Sequence, residues 1–263
     1  MLQSDKFQHA LKALLLLALA FFLYSRIATG TLNYYIAQRF APFTLLALIG
    51  LFIVAVSYHS GRRKTTAESN DSHPIHPPMD HEAAHVHSHE HHLNWGGVLL
   101  IALPIVLGLL VSPRPLGSAA LANREVNVTV SGSIMPAAIR SATQKAATDK
   151  NILDWSQLFG ASSDPAQQYA GQPANVIGFV FRDERFAENQ FMATRFVISC
   201  CVADSNPAGI VVEGAQTHEL PADQWVEVQG VFQPGKLDGQ TIPVLVAQSI
   251  RKVPVPEQPY LYP

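Results

Sequence analysis

A chain of 263 residues with a net charge of only −2 has room for two domains and carries no global field of the kind that attracts nucleic acid or an anionic surface. Its two cysteines, Cys200 and Cys201, are neighbours, which excludes the disulfide framework of a small secreted protein. Apolar residues come in long unbroken runs in the first half and in short alternating stretches in the second, so the chain reads as an integral membrane protein with a water-soluble, β-rich C-terminal half.

Three runs, residues 7–27, 43–58 and 95–111, have the length and purity of membrane spans. Each covers roughly 16–21 residues, close to the ~20 needed to cross a hydrocarbon core of ~30 Å. Lys12 lies near the start of the first run, where its ammonium can snorkel to the headgroups. Pro104, inside the third, is expected to kink the helix or to leave a carbonyl for a neighbour to satisfy. Ser118-Ala119-Ala120-Leu121-Ala122 follows the third run and superficially resembles a cleavage site. Arg62-Arg63-Lys64 follows the second run directly, and the positive-inside rule then places residues 59–94 in the cytoplasm. With three spans, the N-terminus is inside and residue 117 onward outside, in a multi-pass membrane protein.

Residues 59–94 hold nine of the eleven histidines, crowded toward the end as His81, His85, His87, His89, His91 and His92. Asp80, Glu82 and Glu90 are interleaved with them, and the polar, proline-containing stretch 69–78 is expected to be disordered. Flexible imidazoles at this density collect zinc or another divalent transition metal as a weak, exchanging site. A solvated linker is the plainer reading of the same residues.

The soluble half divides into a connecting segment, 113–172, and a β domain, 173–263. In the first, residues 125–130 alternate as a strand, and 137–147 and 152–159 read as helices, the second with Asp149 as a cap. In the second, strands are expected over 176–181, 191–201, 209–213, 225–232 and 242–247, with turns at Asn206-Pro207-Ala208, Pro221-Ala222-Asp223 and 234–239. Gly178 and Gly230 fall in mid-strand, where small barrels place bulges. Five short strands so spaced fit a barrel of the OB type, with a sandwich as the fallback. From residue 117 onward ten Lys and Arg stand against fourteen Asp and Glu, an acidic balance that argues against nucleic-acid binding.

The sharpest local feature is the run from Arg195 through Ser199-Cys200-Cys201-Val202-Ala203-Asp204. Neighbours on a regular strand point to opposite faces, so the two thiols can share one ion only if the strand ends or bulges there. Asn206-Pro207 makes such an ending reasonable, and Asp204 or His218 could complete a Zn²⁺ set. The alternatives are one thiol in the core with its neighbour at the edge, metal or redox chemistry at the pair, and a strained vicinal disulfide.

Phe191-Met192-Ala193-Thr194-Arg195-Phe196 leading into Cys200-Cys201-Val202-Ala203-Asp204 resembles the signature of the YcgQ-like family of bacterial membrane proteins. Tyr169-x-Gly171 before Val176-Ile177-Gly178-Phe179-Val180, and Trp225-Val226-Glu227-Val228-Gln229-Gly230, are similar to the same family's flanking strands. The resemblance implies a subunit of a two-component permease whose partner is a separate multi-spanning membrane protein. The sequence thus reads as a non-enzymatic accessory subunit linked to divalent metal ions. An extracytoplasmic thiol-redox or metal-carrier protein and a membrane-anchored interaction module are the other classes. No Ser/His/Asp set, phosphate loop or paired acids of required spacing is visible.

Overall fold

The computed structural model describes residues 5–60, 95–121, 136–215 and 217–263. The chain forms two compact units, Met1–Thr29 with Pro42–Pro113, and Gly30–Ala41 with Arg114–Pro263. The expected strand at 125–130 and the histidine loop with His81, His85, His87, His89, His91 and His92 lie outside the described residues.

The first unit is helical: α1 (Asp5–Ala28), α2 (Ala41–Ser60) and α3 (Trp95–Leu110). Two stretches, Ala10–Ala28 and Gln38–Ser57, are long and apolar enough to cross a membrane, whereas the third apolar helix is shorter, at Gly96–Leu110. α3 runs without interruption through Pro104. Large apolar side chains such as Leu14, Phe21, Phe43, Leu46, Phe52, Leu100 and Leu110 point outward, as they do when lipid or another apolar surface covers them. α1 and α3 meet at Gly108, where an added Cβ would lie 2.7 Å from the Phe22 ring, a close approach that glycine permits between packed helices. The Arg26 guanidinium, 5.0 Å from the Phe22 ring centre, donates to the Gly108 carbonyl. That carbonyl is one of the last four of α3, which have no partner within the helix, and a cation there is also favoured by the negative end of the helix dipole.

The second unit is built on five strands, β1 (Pro173–Phe181), β2 (Gln190–Val197), β3 (Asn206–Glu213), β4 (Trp225–Leu237) and β5 (Gln240–Lys252). They close into a barrel in the order β1-β2-β3-β5-β4, every pair antiparallel except β3 with β5. Before the barrel come α4 (Pro136–Gln144), α5 (Ile152–Ala161) and the single turn α6 (Pro165–Gln168). Asn151, not Asp149, caps α5: its side chain accepts from Asp154 N at 3.0 Å while Asp154 accepts from Asn151 N at 2.9 Å.

Gly230 stands at the register shift between β4 and β5, as its mid-strand position suggests, and a Cβ there would overlap the Val246 carbonyl. Gly178 has a different reason: a Cβ would sit 2.9 Å from Ile152 of α5 and from the Thr194 backbone, so glycine lets helix and strand close on the same spot. Two expected turns are strand. β3 begins at Asn206, and β4 and β5 run on to a tight hairpin at Asp238-Gly239, whose φ values are 50° and 77°. Pro234 pairs with Pro243, and prolines facing each other lack N–H donors, so they fit only at a non-hydrogen-bonded pair. Both lie where the hairpin projects past the described pairing of β4 with β1 and of β5 with β3.

α5 presses Ile152, Trp155 and Phe159 into a core shared with Val176, Val180, Phe191, Ile210 and Phe232. The Trp155 and Phe232 rings meet edge-on at 4.8 Å. The alternate residues of β1 and β2, including Phe179, Met192 and Phe196, are buried on the opposite face beneath Ala37, Leu121 and Tyr260. β1 and β2 are therefore covered on both sides, by residues before and after the barrel in the chain. Ser118, in the cleavage-like stretch, is part of this cover: its N–H and hydroxyl donate to Asp223 at 2.6 and 2.9 Å, and Leu121 is buried.

Gly230→Val is expected to destabilise the barrel by roughly 3 kcal/mol or more, since only backbone could move aside. Gly50→Ala, with nothing within 4 Å of the added Cβ, is the neutral control. Thermal melts of the full chain in detergent, followed by tryptophan fluorescence, check both.

Candidate functional site

β2 ends at Val197, four residues short of the expected strand end, and the reason is Asp204. Its carboxylate accepts from Ser199 N at 2.9 Å and from Cys200 N at 2.6 Å, pulling the chain into a turn that a straight strand cannot make. A single helical turn, Val202–Asp204, completes the reversal into β3. The backbone N–H of Cys201 also helps to hold the Asp204 carboxyl below its ordinary pKa; burial opposes this, and hydrogen bonds from the Cys200 side chain and the three amides prevail.

The turn is pinned by the segment 34–39. Ala37 N donates to Cys200 O and Val202 N to Tyr35 O, each at 2.9 Å. Those bonds flank the Ile36–Cys201 bridge, making it the closer, non-hydrogen-bonded kind of antiparallel pair. Arg39 donates to Ser199 O at 2.5 Å, and Gln258 to the Gln38 side chain at 2.6 Å. Tyr260 joins the same assembly, its hydroxyl donating to Tyr34 O at 3.1 Å and accepting from Leu116 N at 2.9 Å.

Arg195 braces the other side of β2. Its guanidinium donates to the carbonyls of Gln258, Pro259 and Tyr260 and lies 5.7 Å from the Trp225 ring centre, so it ties the C-terminal segment over the barrel. Burial holds its pKa below the ordinary value, with carbonyl acceptors taking the place of water.

Within this frame the two thiols and the carboxylate converge. The Cys200 and Cys201 Sγ atoms are 3.7 Å apart, and with an Asp204 carboxylate oxygen all three donor atoms lie within 4.8 Å of one another. Neither thiol is in the core: Cys200 is exposed, Cys201 half-buried, and both are free. The arrangement with one core thiol is thereby corrected, because the strand on which opposite faces would apply has already ended. The Cys200 thiol is pushed up to about 11, first by its hydrogen bond to the Asp204 carboxylate, then by that with the Cys201 thiol and by desolvation. His218 stands apart from the cluster, exposed beside Glu219 at 3.8 Å. A cavity of about 380 Å³ between α4, α5 and α6, lined in part by Thr143, Lys150 and Tyr169, shares no residue with this turn.

Segment 34–39 escaped the sequence reading, although Tyr34-Tyr35-Ile36 is an unusually apolar run for a short connection between two helices.

Residues 129–263 match the model of the DUF1980 C-terminal domain, and residues 11–127 that of the DUF1980 N-terminal domain. The chain belongs to the DUF1980 family. The paired-cysteine turn and its bracing Arg195 therefore sit in the C-terminal domain of the family. A Bacillus subtilis protein, UPF0703 protein YcgQ, is 28% identical over 100 residues, covering 36% of this chain and 34% of its own length. A Streptococcus mutans protein named "Putative two-component membrane permease complex subunit" is 24% identical over 204 residues, covering 62% of this chain and 72% of its own. The resemblance drawn from the cysteine motif and its flanking strands is borne out.

The Asp204 carboxylate disfavours the Cys200 thiolate, so Asp204→Asn should lower that pKa and raise the thiolate fraction at pH 8. Each unit recovered speeds alkylation roughly three- to fourfold, the gain in thiolate being partly offset by its lower nucleophilicity. Iodoacetamide kinetics in a Cys201→Ser background, where one thiol remains, checks this; an unchanged rate would remove the carboxylate as the cause.

Proposed function

We propose that this chain is the accessory subunit of a two-component membrane permease, working with a separate multi-spanning protein that forms the pathway. The observation that carries it is the character of the helices. α2 and α3 contain no Asp, Glu, Lys or Arg, and their exposed faces are leucine, isoleucine, valine and phenylalanine. Such helices anchor and associate, and the Arg26 guanidinium of α1 is spent on the Gly108 carbonyl; a polar pathway needs groups that replace water around a solute. The printed name of the Streptococcus mutans relative supports the same role.

On this reading α1, α2 and α3 all cross the bilayer. That residues 30–41 share one compact unit with the barrel supports placing both on one membrane face, with α2 and α3 carrying the chain away and back. Arg62-Arg63-Lys64 then favours the outer face for the barrel. The strand order, with its parallel β3–β5 closure, supports an OB-type barrel as the domain displayed there. Fold alone does not carry function. The histidine-rich loop remains, on this reading, a collector of divalent ions on the inner face.

Two measurements test the proposal. Affinity purification from native membranes in mild detergent is expected to recover a multi-spanning membrane protein in near-equal amount; recovery of this chain alone contradicts an accessory role. A membrane-impermeant maleimide is expected to label Cys200 in intact spheroplasts, and labelling only after permeabilisation would reverse the orientation.

A further inference from the structure

We propose that the Cys200 and Cys201 sulfurs and an Asp204 carboxylate oxygen form an open three-donor site for a divalent transition-metal ion of the zinc class. The inference stands on the geometry of the turn and does not rest on the permease reading. A tetrahedral ion with metal–sulfur bonds of ~2.3 Å holds two sulfurs about 3.8 Å apart. The two sulfurs here are separated by 3.7 Å. Adjacent residues of a regular strand diverge, so this spacing exists only because the strand has ended and the chain has turned. The third donor comes from the same turn, within 4.8 Å of both sulfurs. Its orientation is set by the Ser199 and Cys200 amides, in the manner of the outer partners that orient metal-bound carboxylates.

The donor chemistry selects the ion. Two thiolates favour zinc or a softer ion over magnesium or calcium, which take oxygen ligands. Binding exchanges the two S–H protons for the metal and releases them to solvent. Three protein donors are one short of a closed structural zinc set, which leaves the remaining position to water or to an incoming ligand. With Cys200 exposed, that position is reachable from outside, as a site that accepts and passes on an ion requires.

The test uses the reduced full chain in detergent micelles and Co²⁺ alone as the probe. Imidazole ligation gives no thiolate-to-cobalt charge-transfer band, so the nine histidines of the 59–94 loop do not interfere with the readout. The expected result is a near-ultraviolet charge-transfer band that rises with added Co²⁺ to a plateau and is erased by excess Zn²⁺. Cys200→Ser and Cys201→Ser should each remove at least half of it, and Asp204→Asn should weaken Co²⁺ binding roughly tenfold. No band from a wild-type chain whose two thiols titrate as reduced overturns the proposal. So does a band of unchanged strength in either cysteine variant. If a variant fails to melt cooperatively, the wild-type spectrum decides alone.

Discussion

The Asp204 carboxylate, by accepting the amides that follow β2, converts a continuing strand into a turn, and most of what distinguishes this domain depends on that conversion. Were β2 to continue through Cys201, the two thiols would face opposite sides and the segment 35–37 would have no backbone to pair with. With the turn made, Cys200 O and Val202 N are turned toward Ala37 and Tyr35, and a connection between two helices becomes part of the barrel's cover. A carboxylate satisfied by several N–H groups is stable as the anion, so the same interaction that shapes the turn keeps a negative charge beside the thiols.

The cover has a structural consequence for the barrel. β1 and β2 bury both faces, one against α5 and the interior, the other beneath residues 37, 121 and 260. Strands buried on both faces lose the alternation of a one-sided sheet. Phe179-Val180-Phe181 and Phe191-Met192-Ala193 show this directly, as unbroken buried runs. The Arg195 guanidinium then does for the C-terminal segment what Asp204 does for the turn: one charged group satisfies several backbone partners and fixes a segment that has no ladder of its own.

Much of this was legible in the sequence, for reasons that were local. The five strands announce themselves by apolar runs, Gly230 by its place in mid-strand, and the N-terminal apolar helices by length and purity. What was not legible depended on distant partners. Asn206-Pro207 and Pro234-Gly235 look like turns, and are strand because pairing on the side that proline cannot serve is not required of them. Asn151 and Asp149 are equally good caps in isolation; the choice is made by Asp154, three residues after Asn151. The two thiols could be assigned to opposite faces or to one side only by knowing where β2 stops. Segment 34–39 carried a signal, aromatic residues in a short connection, whose meaning required the barrel to be present.

The connection between α1 and α2 pairs with the cysteine turn through Ile36 and Cys201. The most direct measurement is a disulfide across the Ile36–Cys201 bridge, in an Ile36→Cys, Cys200→Ser chain kept in its membrane. A non-hydrogen-bonded antiparallel pair sets Cα atoms about 4.5 Å apart, within reach of a disulfide. Mild oxidation is predicted to close that bond within one chain, nearly to completion, as read by mass spectrometry of the linked peptides. Two thiols that both stay open to alkylation in a folded chain would contradict that pairing.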